Sequence, residues 1–168
     1  MNIIVIGTGM YSTGRGTEGY GTVLPAVNEW FRNKKHKSKV LFVGTNGMHS
    51  NEAKLKAEKL SEDSNVELDV SFLPANGVVD RHAYLSAIKE GPRPACAIVV
   101  VPDHLHYQVT YDCLMVDLPV LVVKPLTPSA EEGRMLVKLA NERSLYAAVE
   151  FHKRWDKANL MIRDRIQK

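Results

Sequence analysis

The chain has 168 residues, 45% hydrophobic and 24% charged, with a net charge of +3. That is the size and balance of one soluble domain with its own core, and it excludes a disordered tail, a collagen-like chain and a charge-extended linker. The apolar runs fall short of the roughly 18 residues a membrane span needs, and the charge alone is too weak for a nucleic-acid binder. The start, Met1 to Gly7, has neither the basic segment nor the apolar length of a signal peptide. The expectation is a cytoplasmic protein with no membrane and no nucleic-acid partner. Cys96 and Cys113 stand in apolar contexts with no CxxC or zinc spacing, as reduced core residues do.

Asn2 to Gly7 is a β-branched apolar run ending in glycine, and reads as a buried strand. Six of the 11 glycines follow within the 15 residues from Gly7 to Gly21, where the backbone needs freedom or close approach. A helix is expected from Thr22, with Leu24, Val27 and Phe31 inward and Trp30 at the flank. Lys39 to Val43 is the second strand, and Ser50 is expected to cap a helix over Asn51 to Leu60. Leu68 to Leu73 alternates as a strand near an edge would, and Asp80 to Lys89 is helical. Cys96 to Val101 is the clearest buried strand, followed by a helix over Leu105 to Met115. After the strand Val120 to Val123, Thr127-Pro128 reads as an N-cap with proline at the first helical position. Leu145 to Val149 and a helix over Lys157 to Ile166 complete the chain. Strict alternation of strand and helix predicts a doubly wound α/β fold, a parallel Rossmann-type sheet in a single three-layer domain.

Ligands of such a sheet bind beyond the carboxyl ends of its strands. The residues there are Gly7-Thr8-Gly9-Met10-Tyr11-Ser12, Gly44-Thr45-Asn46, Pro74 to Gly77, Pro102-Asp103-His104-Leu105-His106, Lys124-Pro125 and Glu150 to Arg154. Polar and chemically competent side chains therefore cluster on one rim.

Gly7-x-Gly9 after a buried strand suits a dinucleotide pyrophosphate, because the first glycine allows the turn and the second lets backbone approach the phosphates. The third fingerprint glycine is replaced by Ser12, and the late helix implies a lengthened loop. A phosphate-loop NTPase is the nearest competitor: Gly9-x-x-x-x-Gly14-Arg15-Gly16 lacks the lysine and the magnesium-binding hydroxyl. The second strand ends in Gly44-Thr45-Asn46 with no carboxylate for ribose hydroxyls. Thr45, Asn46 and Ser50 suit a 2′-phosphate, so NADP is at least as good a fit as NAD. Asp103-His104-Leu105-His106 has no third ligand at a zinc spacing and reads as a strand-to-helix turn, with no metal site. Lys124, at the end of a buried strand with Pro125 fixing the turn, is placed to meet a phosphate, hydroxyl or carbonyl of a ligand. The basic run from Arg32 to Lys39 lies on the opposite rim without interleaved aromatics, and reads as a solvated loop.

With these motifs in order, the chain resembles the N-terminal domain of the Gfo/Idh/MocA oxidoreductases, the glucose–fructose oxidoreductase and inositol dehydrogenase family. Gly7-Thr8-Gly9 matches the family's GxGxxG up to Ser12. Pro102-Asp103-His104-Leu105-His106 is similar to its Pro-Asn-x-x-His segment, with Asp103 in place of asparagine. Val123-Lys124-Pro125 is similar to its Glu-Lys-Pro segment without the acid, and Phe151 to Asp156 to its arginine-containing exit stretch. The resemblance implies hydride transfer between NAD(P) and a sugar- or polyol-like hydroxyl. Lys124 would be the catalytic lysine. Gly7, Thr8, Gly9, Met10, Tyr11, Ser12, Thr45, Asn46, Pro102, Asp103, His106, Lys124 and Pro125 would hold the cofactor. It also implies that residues 1–150 form the dinucleotide domain. Residues 151–168 would then lead toward a C-terminal domain that binds substrate, carries the acid–base pair and mediates any homo-oligomer. A non-catalytic dinucleotide sensor is the alternative.

Overall fold

In the computed structural model, which describes residues 1–33 and 38–167, the expected doubly wound sheet is present. The strands are β1 (Asn2–Ile6), β2 (Val40–Val43), β3 (Val70–Leu73), β4 (Ala95–Val99), β5 (Val120–Val123) and β6 (Ala147–Glu150). They are all parallel, in the order β3-β2-β1-β4-β5-β6. The order reverses between β1 and β4, which creates a crevice at their carboxyl ends.

Central strands are apolar on both faces because each face meets a helical layer. Ile3 and Val5 of β1 pack with Val40 and Phe42 against Leu24, Val27 and Phe31 of α2 (Val23–Asn33) and Ala57 and Leu60 of α3 (Gly47–Ser64). Phe42 stacks on Phe72 with ring centroids 5.1 Å apart. Ile4 and Ile6 face the other way. They join Ile88 of α4 (Ala83–Glu90), Val109 and Leu114 of α5 (His106–Met115) and Leu136 of α6 (Ala130–Glu142). The edge strands are less covered: no residue of β3 or β6 is fully buried. The final helix α7 (Lys157–Ile166) contributes nothing to either core, and its Met161, Ile162 and Ile166 are exposed. Among the described residues no helix is long and apolar enough to cross a membrane.

Three local expectations are corrected. The helix expected from Thr22 is present as α2 from Val23, but an unexpected turn of helix precedes it. One turn, α1 (Met10–Thr13), opens directly after Gly9, ends at Gly14 (φ +74), and α2 takes up the path at Val23. The Thr22 N–H donates to the Tyr11 carbonyl at 2.7 Å, filling the acceptor that residue 15 would serve in an unbroken helix. The glycine-rich stretch is thus an excursion out of a helix, closed where Gly14 meets Gly19 too tightly for a Cβ. Second, Asn46 rather than Ser50 caps α3, its side chain accepting from the Met48 N–H at 2.9 Å. The buried Ser50 hydroxyl instead donates to the Leu73 carbonyl at 2.7 Å. Third, Ser129 rather than Thr127 caps α6 by accepting from the Glu132 N–H, while the Thr127 hydroxyl donates to the Ser129 carbonyl. Of the basic run 32–39, residues 34–37 lie outside the described residues. Arg32 pairs with Glu29 at 3.3 Å, and the Lys39 N–H donates to Asn2 Oδ1 at the amino-end rim.

Cys113 is fully buried, and burial pushes its thiol up from 9.0 to about 12. The folded state holds the neutral thiol, so its contribution to stability is complete below pH 9 and is lost as pH rises toward 12. The loss is roughly 1 kcal/mol per pH unit in that window. Denaturant titrations from pH 8 to 11 are therefore expected to show a shallower alkaline decline for Cys113→Ala than for the parent. Equal slopes would contradict the assignment.

Candidate functional site

The crevice forms because the exits of β1 and β4 touch. The Gly7 N–H donates to the Val43 carbonyl at 2.8 Å, and its φ of +122° brings its Cα over Val100. A Cβ at Gly7 would lie 2.0 Å from the Val100 carbonyl oxygen, so only glycine fits. Gly9 differs: its φ is −82°, and a Cβ there would meet nothing within 4 Å. Gly9 borders open space for another reason than local sterics, and that space is a cleft of about 230 Å³.

The cleft brings together Gly7, Thr8 and Gly9 from the first exit, Thr45 from the second and Pro102 from the fourth, over a floor of Ile6, Val43 and Val100. The turn of α1 begins at Gly9, so the Met10, Tyr11 and Ser12 N–H groups have no partner within the helix. Thr13 braces this turn, its hydroxyl donating to the Thr8 carbonyl at 3.2 Å.

Other expected residues lie away from the cleft. Ser12 is fully buried, and its hydroxyl has no hydrogen-bond partner among the described residues. It occupies the close-packed place of the third fingerprint glycine rather than the cleft surface. The Asn46 side chain is occupied in capping α3. Met10 and Asp103 are exposed, Asp103 in a single 3₁₀ turn before α5. His106 is fully buried, and its ring nitrogens face the carbonyl oxygens of Val101 (2.9 Å) and Pro125. It ties the β4 exit to the β5 exit and is unavailable to a ligand. Lys124 stands exposed beside that tie, with no hydrogen-bond or ion-pair partner among the described residues.

Tyr11 forms a second polar group with the sixth exit. Its hydroxyl donates to Glu150 Oε2 at 3.0 Å and lies 3.1 Å from His152 Nδ1, which is itself 3.3 Å from Glu150 Oε1. Burial first, then the Glu150 carboxylate, raise the Tyr11 pKa, so the phenol keeps its proton. Tyr11 thus spans the rim from β1 to β6.

Sequence reading missed two cleft residues and misjudged a third. Arg81 and Tyr84 line the cleft. Arg81 falls within the helix expected over Asp80 to Lys89, whereas the helix begins only at Ala83. Arg15 also lines it, although its only sequence reading was as a defective phosphate-loop lysine. That alternative fails on geometry: a phosphate loop opens a helix at its GK[ST] end, whereas here a helix ends at Gly14.

Residues 1–151 match the model of the Gfo/Idh/MocA family, described as an oxidoreductase family with an NAD-binding Rossmann fold. A stretch of 79 residues is 35% identical to scyllo-inositol 2-dehydrogenase (NADP(+)) IolW of Bacillus subtilis (strain 168), covering 47% of this chain and 22% of that protein. Among solved structures, an NAD binding oxidoreductase from Klebsiella pneumoniae superposes with a TM-score of 0.67 at 14% identity, over 99% of this chain and 38% of that one. Biliverdin reductase from Synechocystis sp. PCC 6803, solved with biliverdin and NADP+, gives 0.67 at 17% identity, over 99% and 43%. The chain therefore spans about two fifths of the structures it matches, and these likenesses show the fold.

The two glycines are expected to respond differently to the same substitution. Gly7→Ala forces a Cβ into a carbonyl at positive φ and should destabilise folding by about 2 kcal/mol or more. Gly9→Ala should leave stability within about 0.5 kcal/mol of the parent. Thermal or urea denaturation measures both, and equal losses would refute the distinction.

Proposed function

Since the chain belongs to the Gfo/Idh/MocA oxidoreductase family, with its NAD-binding Rossmann fold, we propose that the carboxyl rim binds NAD(P)(H) as half of a dehydrogenase site. The observation that carries this reading is the open space beside Gly9 at the β1–β4 reversal, a cradle that a Cβ would enter. The free N–H groups of α1 suit a pyrophosphate, and Thr45 and the lack of a carboxylate at the β2 exit suit a 2′-phosphorylated adenosine ribose. NADP is favoured over NAD on that lack. Bound nicotinamide would supply the hydride donor or acceptor.

The chain's own residues would hold and orient. Gly7 keeps the two exits close enough for one ligand to cross them. His106 holds the β5 exit, so that Lys124 projects from a fixed turn. The Lys124 ammonium, free of any carboxylate among the described residues, would hydrogen-bond a substrate hydroxyl oxygen and favour the alkoxide character that develops as hydride leaves its carbon. Tyr11, its hydroxyl donating to Glu150, would hold the sixth exit against the nicotinamide half of the rim. The substrate is a sugar- or polyol-like alcohol. Residues 151–168 lead toward the domain that binds it, where the acid–base pair and any oligomer contact would lie.

NADPH fluorescence titration of this chain tests the reading: saturable binding is expected, weakened at least about tenfold by Gly9→Ala with folding intact. No binding at millimolar cofactor would overturn it. Lys124→Ala should leave NADPH affinity within about threefold and, in protein carrying the following domain, lower kcat/KM by about a hundredfold or more. Weakened cofactor binding with unchanged turnover would reverse the assignment.

A further inference from the structure

Two arginines from separate loops line the cleft that holds Thr45: Arg15 from the excursion between α1 and α2, and Arg81 from the loop before α4. Neither side chain has a hydrogen-bond, ion-pair or ring partner among the described residues, and no aspartate or glutamate lines the cleft. Unpaired guanidinium groups facing an acid-free cleft repel each other unless an anion joins them.

Both are positioned by backbone. The loop carrying Arg81 is clipped onto the β2 exit. Asn46 bridges Val79, the Asp80 N–H donates to the Thr45 carbonyl at 3.0 Å, and the Gly47 N–H donates to the Val78 carbonyl at 2.7 Å. The Asp80 carboxylate is turned to the His82 N–H at 2.8 Å rather than to Arg81. Arg15 stands between Gly14 and Gly16, both at φ +74°, in an excursion moored to α3. There the Gly16 N–H donates to Glu52 at 3.2 Å, and Lys56 Nζ donates to the Thr17 and Gly19 carbonyls at 2.7 Å each. Glu52 is engaged with that backbone and is not among the cleft's lining residues.

The end of β2 is where a dinucleotide-binding sheet meets the adenosine ribose, and a carboxylate there selects the free 2′-hydroxyl. Here the position is held by the uncharged Thr45, with one arginine on either side in sequence. We propose that Arg15 and Arg81, with the Thr45 hydroxyl, form a clamp for the 2′-phosphate of NADP(H), so that the glycine-rich excursion is a specificity element. A dianionic phosphate neutralises both guanidinium groups and accepts their forked donors. The clamp rests on the dinucleotide reading of the rim, and it explains why the helix after Gly9 is interrupted: an unbroken helix would carry residue 15 away on its axis.

Calorimetry of the full chain tests this with pairs of probes that differ only in the 2′-phosphate: NADP+ against NAD+, and 2′,5′-ADP against AMP. The phosphorylated member should bind at least about tenfold tighter. Arg15→Ala and Arg81→Ala should each erase most of that ratio while leaving NAD+ and AMP affinities within about twofold. The ratio should also shrink as salt rises. Equal affinity within each pair, or variants that weaken both members alike, would overturn the clamp and leave the dinucleotide reading standing. Failure of all four probes to bind would overturn that reading and the clamp with it.

Discussion

The rim depends on one close approach, that of Gly7 to the Val100 carbonyl at the reversal of strand order. Remove the side chain at residue 7 and the first and fourth exits can touch; restore even a methyl and it meets an oxygen at 2.0 Å. The two exits that wall the cleft are set by that contact. Thr8 and Gly9 turn upward from it, α1 opens beyond it, and Pro102 closes the other wall. The helical layers on both faces hold the exits in place, since Ile4 and Ile6 are anchored in one core and Ile3 and Val5 in the other. A shift of β1 by one residue would exchange the two sets.

The fold was legible because its signals are local. β5 and α7 lie where apolar runs and helix periodicity put them, and every strand was recognised within two residues at its carboxyl end. What failed was capping and interruption. Asn46 and Ser50 are both competent caps; only the pull of the Leu73 carbonyl on Ser50 decides between them, and that is a tertiary fact. The excursion at residues 14–21 looked like loop before helix because composition records glycines but not where a helix pauses and resumes. Its closure, from Thr22 back to Tyr11, skips the whole glycine-rich stretch.

The site divides in the same way. Gly7, Thr8, Gly9, Thr45 and Pro102 could be found from strand ends alone, and they share the cleft. Arg81 could not. It lies eight residues past β3 and reaches the β2 exit through the Asn46–Val79 bridge and the backbone bonds beside it. His106 shows the opposite error: its place in a motif suggested ligand contact, whereas full burial between two carbonyls makes it a tie between exits. The two halves of the rim now have different physical characters. One is cationic around Arg15 and Arg81. The other is the neutral phenol of Tyr11 held by Glu150 and His152, with Lys124 on the intervening exit.

The most direct measurement is an amide-resolved NMR titration with NADP+. Binding across the reversal predicts saturable shifts at residues 7–11, Thr45, Arg81 and 100–103, with Lys39, Asp69, Leu118 and Tyr146 at the amino ends of the strands unmoved. Shifts centred on those amino ends, or none at saturating cofactor, would contradict the account.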